Sequence, residues 1–464
     1  MRVLPSRLWL KERVGRSRLL QWAYATSTEI AARALDAAGR PFLAARLLLR
    51  AWKHVDADLF GARRAHWAGV LIERHTRRDG VFLGIADNGF YRDFVRSGLA
   101  RDLRAKYGKF PPGDRVRLRY PRSPDDPERQ GDLIILKSPD PLTGEKGVIL
   151  VMYHEGIEAA AAVLDLPRLA PHWTFVLETS NWGSEDARFL PYIGADLSVI
   201  VMAPRAPDAA WLNALKTNLN AVQIGSGEWV DPATFQAGRD GGDYLYDVLM
   251  IASWDPLKRH ELLFRALADL KARGRPLKVG LIGIPMRWRR DQVEALAVRY
   301  GVKDCVTVHE RIPHAEVARL VRHSRVSVLL SRQEGSNRAV YESLFAGTPV
   351  VVYARHKGIN LEHVNPMTGL LAEDDELADR LLEVIDHPGR FDPRRFALEN
   401  LGYPNAVRGL NAALKERALQ DGRPWTRDIV AKRNAPNSRY VTPGIYREFE
   451  PDYAALADYL QPRG

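Results

Sequence analysis

Between Arg325 and Tyr353 the chain reads RVSVLLSRQEGSNRAVYESLFAGTPVVVY, and no other stretch narrows the fold as far. Val326, Val328, Leu329 and Leu330 form a short apolar run, which Glu334-Gly335-Ser336-Asn337 breaks with small and polar residues. A helical segment from about Asn337 to Phe345 follows, Ala346-Gly347-Thr348-Pro349 stops it, and Val350-Val351-Val352 is a second, β-branched run. Strand, turn, helix, Gly-Pro stop and strand make one compact βαβ unit, whose two strands must be parallel. Ligands of open α/β sheets bind beyond the carboxyl ends of the strands, where the next helix offers free N–H groups and the positive end of its dipole. The Gly335-Ser336-Asn337 turn is expected there, with Gly335 letting a ligand approach the backbone and Ser336 as N-cap. Glu334 and Glu342 place two carboxylates around the same point, Glu342 about one and a half turns into the helix. One acid can address a first sugar and the other a second hydroxyl-bearing ring.

The Glu334-x7-Glu342 pattern, with Gly335 after the first acid and Gly347-Thr348-Pro349-Val350-Val351 after the second, resembles the retaining glycosyltransferases built from two Rossmann-like domains. This is the GT-B type, glycosyl transferases group 1, which includes glycogen- and sucrose-synthase-type enzymes. The resemblance implies an α/β fold of two Rossmann-like doubly wound domains, here with a helical N-terminal extension. It implies transfer of a sugar, with retention and without a metal, from a nucleotide-diphosphate sugar to a glycan or lipid-linked acceptor. No cofactor is expected beyond that donor substrate, and the setting is cell-envelope polysaccharide synthesis in the cytoplasm. Glu334 would contact the donor sugar, Glu342 the nucleotide ribose, and the Gly335-Ser336-Asn337 turn the diphosphate.

At 464 residues the chain suits two or three domains. Its one cysteine, Cys305, leaves no disulfide framework and fits a reducing compartment. No apolar run is long enough for a transmembrane helix. The charge is lopsided: residues 1–140 hold 28 Lys and Arg against 16 Asp and Glu, and the remainder 40 against 41. An excess of twelve confined to one end suggests an acidic partner, although plain Arg-rich usage gives the same count. Within residues 1–28, Arg2, Arg7, Lys11, Arg13, Arg16 and Arg18 face only Glu12 and alternate with Leu8, Leu10, Val14, Leu19, Leu20 and Trp22. Such a segment can lie on an anionic membrane surface, resemble a transit peptide, or simply pack as a helix.

Along the rest of the chain, residues 1–78 read as a basic helical extension, its helices broken at Gly39-Arg40-Pro41. Residues 79–235 form an acceptor-side Rossmann-like domain whose first part, 79–145, is expected to be irregular and partly β, with Val116–Tyr120 alternating as a half-exposed strand. Apolar runs at Val148–Tyr153, Trp173–Leu177, Leu197–Met202 and Ala221–Ile224, spaced by helix-length segments, predict its parallel strands. Gly227–Phe235 resembles the family's linker. Residues 244–400 form the nucleotide-sugar domain, opened by the strand Asp247–Ala252, and residues 401–464 a helix and tail that brace the first domain.

The loop Ser253–His260 resembles the family's phosphate-binding loop, in which an early Arg and a later Lys-Gly are usual. Ser253 stands where that Arg is expected and His260 where the Gly is, which leaves Lys258 and Arg259 as alternative diphosphate ligands. Arg311 and Ile312, in the turn after the Val306–His309 strand, would lie under the nucleotide base through backbone contacts. His154 and Glu155 end the Val148–Tyr153 strand, where relatives often place a sugar-contacting His, and a capping or exposed pair is equally compatible with the sequence. Glu178, Asn181 and Trp182 end the next strand. Asp56-Ala57-Asp58 falls in the helical extension and not at a strand end, and no His or Cys cluster has zinc spacing, so no metal site is expected. An epimerase of this architecture would carry an Asp-Ser-Gly-Gly stretch that is absent, and no nucleic-acid recognition motif is present. A catalytically silent nucleotide-sugar-binding scaffold remains the alternative, because Ser253 removes one expected cation.

Overall fold

The computed structural model describes residues 17–55, 57–119, 123–180, 183–238, 243–434 and 437–462. Two mainly parallel sheets carry the architecture. The first consists of β1 (Leu133–Lys137), β2 (Gly147–Met152), β3 (Trp173–Glu178), β4 (Ser198–Met202) and β5 (Leu219–Val222), side by side in chain order. β1 runs antiparallel to β2, and the other pairs are parallel. Strictly sequential parallel strands with right-handed crossovers put every connection on one face. This sheet is therefore wound in one direction, not doubly wound as expected, and its second face must be covered from elsewhere.

Alternation along β3 identifies the two covers. Phe175 points to the crossover side, its ring 5.8 Å from that of Tyr192. Thr174 shares a small cavity with Leu414 and Arg417 of the helix Gly402–Gln420, and Glu178 pairs with Lys432 of the tail. The C-terminal residues thus close the second face, and they also cap the β1 edge, where Tyr440 donates its hydroxyl to Ile135 O at 2.7 Å and Tyr453 Oη accepts Ile135 N–H at 3.2 Å. On the crossover side, helix Pro41–His54 packs against the 187–192 turn and helix Gly98–Tyr107 against helix His154–Val163. Ala25, Phe42 and Leu48 of the helical extension share one buried core with this sheet, so the extension is part of the first domain's packing.

Residues 79–145 are more regular than expected. They form helices Gly89–Arg96, Gly98–Tyr107 and Pro112–Arg115, a two-residue strand Val81–Phe82 paired with Arg77–Arg78, and one strand of the first sheet, β1. The Val116–Tyr120 alternation is not a strand over residues 116–119, which are turn, and Tyr120 lies outside the described residues. Val116, Arg117 and Leu118 are all buried, Leu118 has φ of 62°, and the Arg117 guanidinium lies 3.7 Å from the Tyr453 ring centre. A half-exposed strand needs alternate residues in water, and here the tail covers Arg117 while Leu118 takes a left-handed turn.

The second sheet contains β6 (Tyr246–Ile251), β7 (Val279–Gly283), β8 (Val306–Glu310), β9 (Ser324–Leu329), β10 (Val350–Tyr353) and β11 (Gly369–Ala372). Their order is β8-β7-β6-β9-β10-β11 and every pair is parallel. Val248, Met250, Val326, Val328 and Val351 pack into one core, and Leu249, Leu329, Val350 and Val352 into another. Both faces are covered, as a doubly wound sheet requires, and the order reverses between β6 and β9.

Candidate active site

That reversal point, where the loops after β6 and β9 part, is where an open α/β sheet leaves a crevice at its carboxyl edge. The β9 loop carries Glu334 to Asn337, and the loop after β10 is laced to it: Glu334 N donates to Lys357 O at 3.0 Å and Lys357 N to Arg332 O at 2.9 Å. Gly358, at φ of 141°, lies so close that a Cβ there would be 2.2 Å from Glu334 O. In the β6 loop, Arg259 caps helix His260–Ala272 with φ of 60° and is held on all sides. Its Nη1 donates to Leu330 O at 3.1 Å, its Nη2 pairs with Asp374, and its guanidinium sits 4.9 Å from the Tyr353 ring centre. Lys258 instead extends its ammonium to Glu334 Oε1 at 2.7 Å. The two cations that the sequence left as alternatives are thereby separated, and Lys258 is the one beside the candidate catalytic acid.

Glu334 also accepts from the Ser331 hydroxyl and from Asn337 Nδ2, the latter at 2.8 Å. Burial alone would raise its pKa, but Lys258 and these donors outweigh burial and hold the carboxyl below its ordinary value. Asn337, not Ser336, is the N-cap of helix Arg338–Phe345, its Oδ1 accepting Val340 N–H at 3.2 Å. Glu342 is buried, with Oε1 2.8 Å from Arg338 Nε and 3.3 Å from His314 Nε2. Arg338 donates in turn to Asn434 O at 3.0 Å, which ties this acid to the C-terminal tail.

The first domain meets this loop directly. A Cβ on Gly335 would lie 1.5 Å from Ser180 O, so the space that was expected to admit a ligand is filled by backbone of the first domain. Ser336, freed from capping, accepts Gly227 N–H of the linker on its Oγ at 2.7 Å. His154 does not face the cleft as a free group. It is fully buried against Phe189, with Nε2 3.5 Å from Asp186, and burial pushes its pKa down to about 3. Glu178 is likewise engaged, by Lys432 Nζ at 2.5 Å and Asn434 Nδ2 at 3.1 Å. Asn181 and Trp182 lie outside the described residues.

Ser253 is half-buried on the β6 loop. Arg311, at φ of 52°, donates its backbone N–H to Gly283 O at 3.0 Å and leaves its side chain exposed, while Ile312 packs into the core beside Val317. Both stand at the carboxyl edge, after β8, two strands from β6. Nothing in the sequence pointed to His356, a buried imidazole in the β10 loop, whose Nδ1 lies 2.8 Å from Ser331 O. Nor did it single out Arg338, Lys432 or Asn434. Arg338 stands four residues before Glu342, which is the spacing of an i,i+4 ion pair and was a signal available to use.

Residues 240–397 match the family described as glycosyl transferases group 1. Over 181 residues the chain is 30% identical to D-inositol 3-phosphate glycosyltransferase 1 of Catenulispora acidiphila, a match covering 36% of this chain and 43% of that protein. It therefore spans less than half of that relative's length. Among solved structures it is similar to sucrose-phosphate synthase from Thermosynechococcus elongatus, with a TM-score of 0.47 and 19% identity over 59% of this chain and 74% of the other. A glycosyltransferase from Rickettsia africae ESF-5 gives a TM-score of 0.44 and 14% identity over 56% and 73%.

Proposed function

We propose that this protein, whose second domain belongs to the glycosyl transferases group 1 family, moves a sugar from a nucleotide-diphosphate sugar to a glycan or lipid-linked acceptor with retention of configuration. The observation that carries the reading is the Lys258–Glu334 pair set beside buried Glu342, at the strand-order reversal and at a helix N-terminus. Retaining transfer needs positive charge on the departing diphosphate and an acceptor for hydroxyls on a sugar that becomes oxocarbenium-like. Lys258 and the N–H groups ahead of Arg338 supply the first without a metal, and the Glu334 carboxylate supplies the second. Glu342 holds the ribose once Arg338 or His314 yields one of its contacts. Because Ser180 backs onto Gly335, the donor reaches the diphosphate site only when the two domains part there.

A thermal-shift screen of nucleoside diphosphates and their sugars identifies the base. With that ligand, Glu342→Ala is expected to weaken nucleotide binding by roughly ten-fold or more, as loss of a hydrogen bond to a charged group does. Glu334→Ala is expected to lower turnover far more than nucleotide affinity, and turnover of the parent is expected to persist in excess EDTA. Unchanged affinity in the first variant, or unchanged turnover in the second, would remove that residue's role; loss in EDTA restored by magnesium would end the metal-free account. One observation favours the scaffold reading, since Arg259 is spent on Leu330 and Asp374 and, among the described residues, Lys258 alone forms an ion pair with Glu334. Tight donor binding with no transfer and no donor hydrolysis would establish it.

The acceptor side of the proposal is a peripheral contact with an anionic membrane on the cytoplasmic face. Helix Arg18–Ala37 leaves Leu19, Trp22 and Ile30 exposed, and six cations against one acid fall within residues 1–28. Residues 1–16 lie outside the described part of the chain. No described helix is long and apolar enough to cross a membrane. At about 1 kcal/mol per Lys or Arg near an anionic leaflet, the attachment should be weak and salt-sensitive. Full-length protein is expected to sediment with anionic but not neutral liposomes at low salt; equal sedimentation of a chain lacking residues 1–16 and carrying Leu19→Ser and Trp22→Ser, both exposed positions, would refute the contact.

A further inference from the structure

Among the described residues His356 is the buried imidazole in contact with the Glu334 loop, and the roles of Lys258, Glu334 and Glu342 leave it without a task. Its Nδ1 lies 2.8 Å from the carbonyl oxygen of Ser331. A carbonyl only accepts, so Nδ1 carries the proton, and in the neutral ring Nε2 is a bare lone pair. The ring is 2% exposed, and among the described residues Nε2 has no hydrogen-bond partner. A buried acceptor left without a donor costs free energy, so it calls for an explanation at a site where a ligand is expected.

The surroundings define what the missing donor can be. The charged groups acting on the ring are Glu334, Lys258 and, across from the first domain, Arg205. Burial holds the imidazole below its ordinary pKa, against the pull of the Ser331 carbonyl and Glu334, which keeps Nε2 an acceptor. An acceptor repels phosphate oxygens, so the diphosphate belongs to Lys258 and the helix N-terminus, and the partner of Nε2 must be an O–H or N–H donor. The adjoining loop geometry fixes its position: Lys357 is bonded to both Arg332 and Glu334, and Gly358 abuts Glu334 O, so the ring cannot move independently of the carboxylate.

We propose that His356 is a specificity-determining residue of the donor site, its Nε2 accepting a hydroxyl of the donor sugar alongside Glu334. This rests on the reading of the site as a nucleotide-sugar site. Two acceptors held on one loop would select a sugar that bears free hydroxyls at both points, and a donor deoxygenated at one of them would lose part of its advantage over the nucleotide alone.

The test compares affinities by calorimetry for a nucleoside diphosphate and its glucose ester, using the UDP, GDP and ADP pairs, in the parent, His356→Asn and His356→Gln. Asn places its amide at the Nδ1 position and keeps the bond to Ser331 while removing Nε2; Gln reaches the Nε2 position. In His356→Asn the diphosphate is expected to bind as in the parent while the advantage of the sugar ester falls roughly 5- to 20-fold, as loss of one hydrogen bond does. His356→Gln is expected to restore part of that advantage. If the ratio in His356→Asn equals the parent's, or if diphosphate and ester weaken together, the assignment fails and the ring is only a loop anchor. If the parent binds none of the six ligands, the nucleotide-sugar reading falls, and this inference with it.

Discussion

Lys432→Ala is expected to destabilise the first domain by about 3–5 kcal/mol, because it leaves the Glu178 carboxylate buried and uncompensated. Both side chains of this pair are fully inaccessible. Lys432 Nζ also donates to Asn434 Oδ1 at 2.8 Å and lies 4.2 Å from the Trp229 ring centre. Burial pulls the ammonium below its ordinary pKa, and Glu178 opposes that pull. The pair joins the tail to β3 on the sheet face that no crossover covers, so breaking it should loosen the tail as a unit. A urea titration followed by tryptophan fluorescence reads this as a lowered first transition. The double change Lys432→Met with Glu178→Gln should recover more than half of the loss, since it removes both charges and keeps an acceptor for Asn434. Because Asn434 O receives Arg338, which pairs with Glu342, the single variant should also weaken nucleotide binding. An unshifted midpoint would show that the pair contributes nothing.

What the sequence disclosed and what it hid follow from the range of the interactions involved. The second domain was legible because each strand and helix advertises itself locally, and the Glu334–Glu342 spacing survives in the structure with both acids at the carboxyl edge. The first domain was legible only as a rhythm of strands. Its sequential order, and therefore the need for a second cover, is a property of the assembled sheet that no window of residues contains. The tail that supplies the cover meets β1 and β3 some three hundred residues earlier in the chain, as in the Tyr440–Ile135 bond. The Val116–Tyr120 reading misled for the same reason: its alternation is real, but the Tyr453 ring buries Arg117, which was assigned to water. At the cap, Ser336 and Asn337 have similar local preference, and the choice was made by Gly227 of the linker, which takes the Ser336 hydroxyl. His154 failed because a strand-end position says nothing about whether the ring turns toward the cleft or toward Phe189.

Glu228→Gln is expected to change the pH dependence of stability more than any other conservative substitution in the linker. Glu228 ends the Gly225–Glu228 turn, whose Gly227 N–H meets Ser336, and its carboxyl is buried with Gly225 N–H at 2.8 Å as its one described hydrogen-bond donor. Burial pushes its pKa up to about 8 from an ordinary 4.5. A raised carboxyl pKa means that the folded chain keeps a proton that the unfolded chain has released. Between those two values the folded state binds more protons, so stability falls as pH rises; below 4.5 there is no contribution, and above 8 the whole cost is present. At about 1.4 kcal/mol per unit, the shift costs the parent roughly 3 kcal/mol at pH 7. Gln carries no proton to lose. Its buried amide adds a constant, so the informative quantity is the difference between parent and variant as a function of pH, in which all other titrations cancel. That difference should move in favour of Gln by about 3 kcal/mol between pH 5 and pH 8, read as urea midpoints across the series. A constant difference over that range would mean that Glu228 is ionised in the folded linker, with a cation or water reaching it that the joint as described excludes.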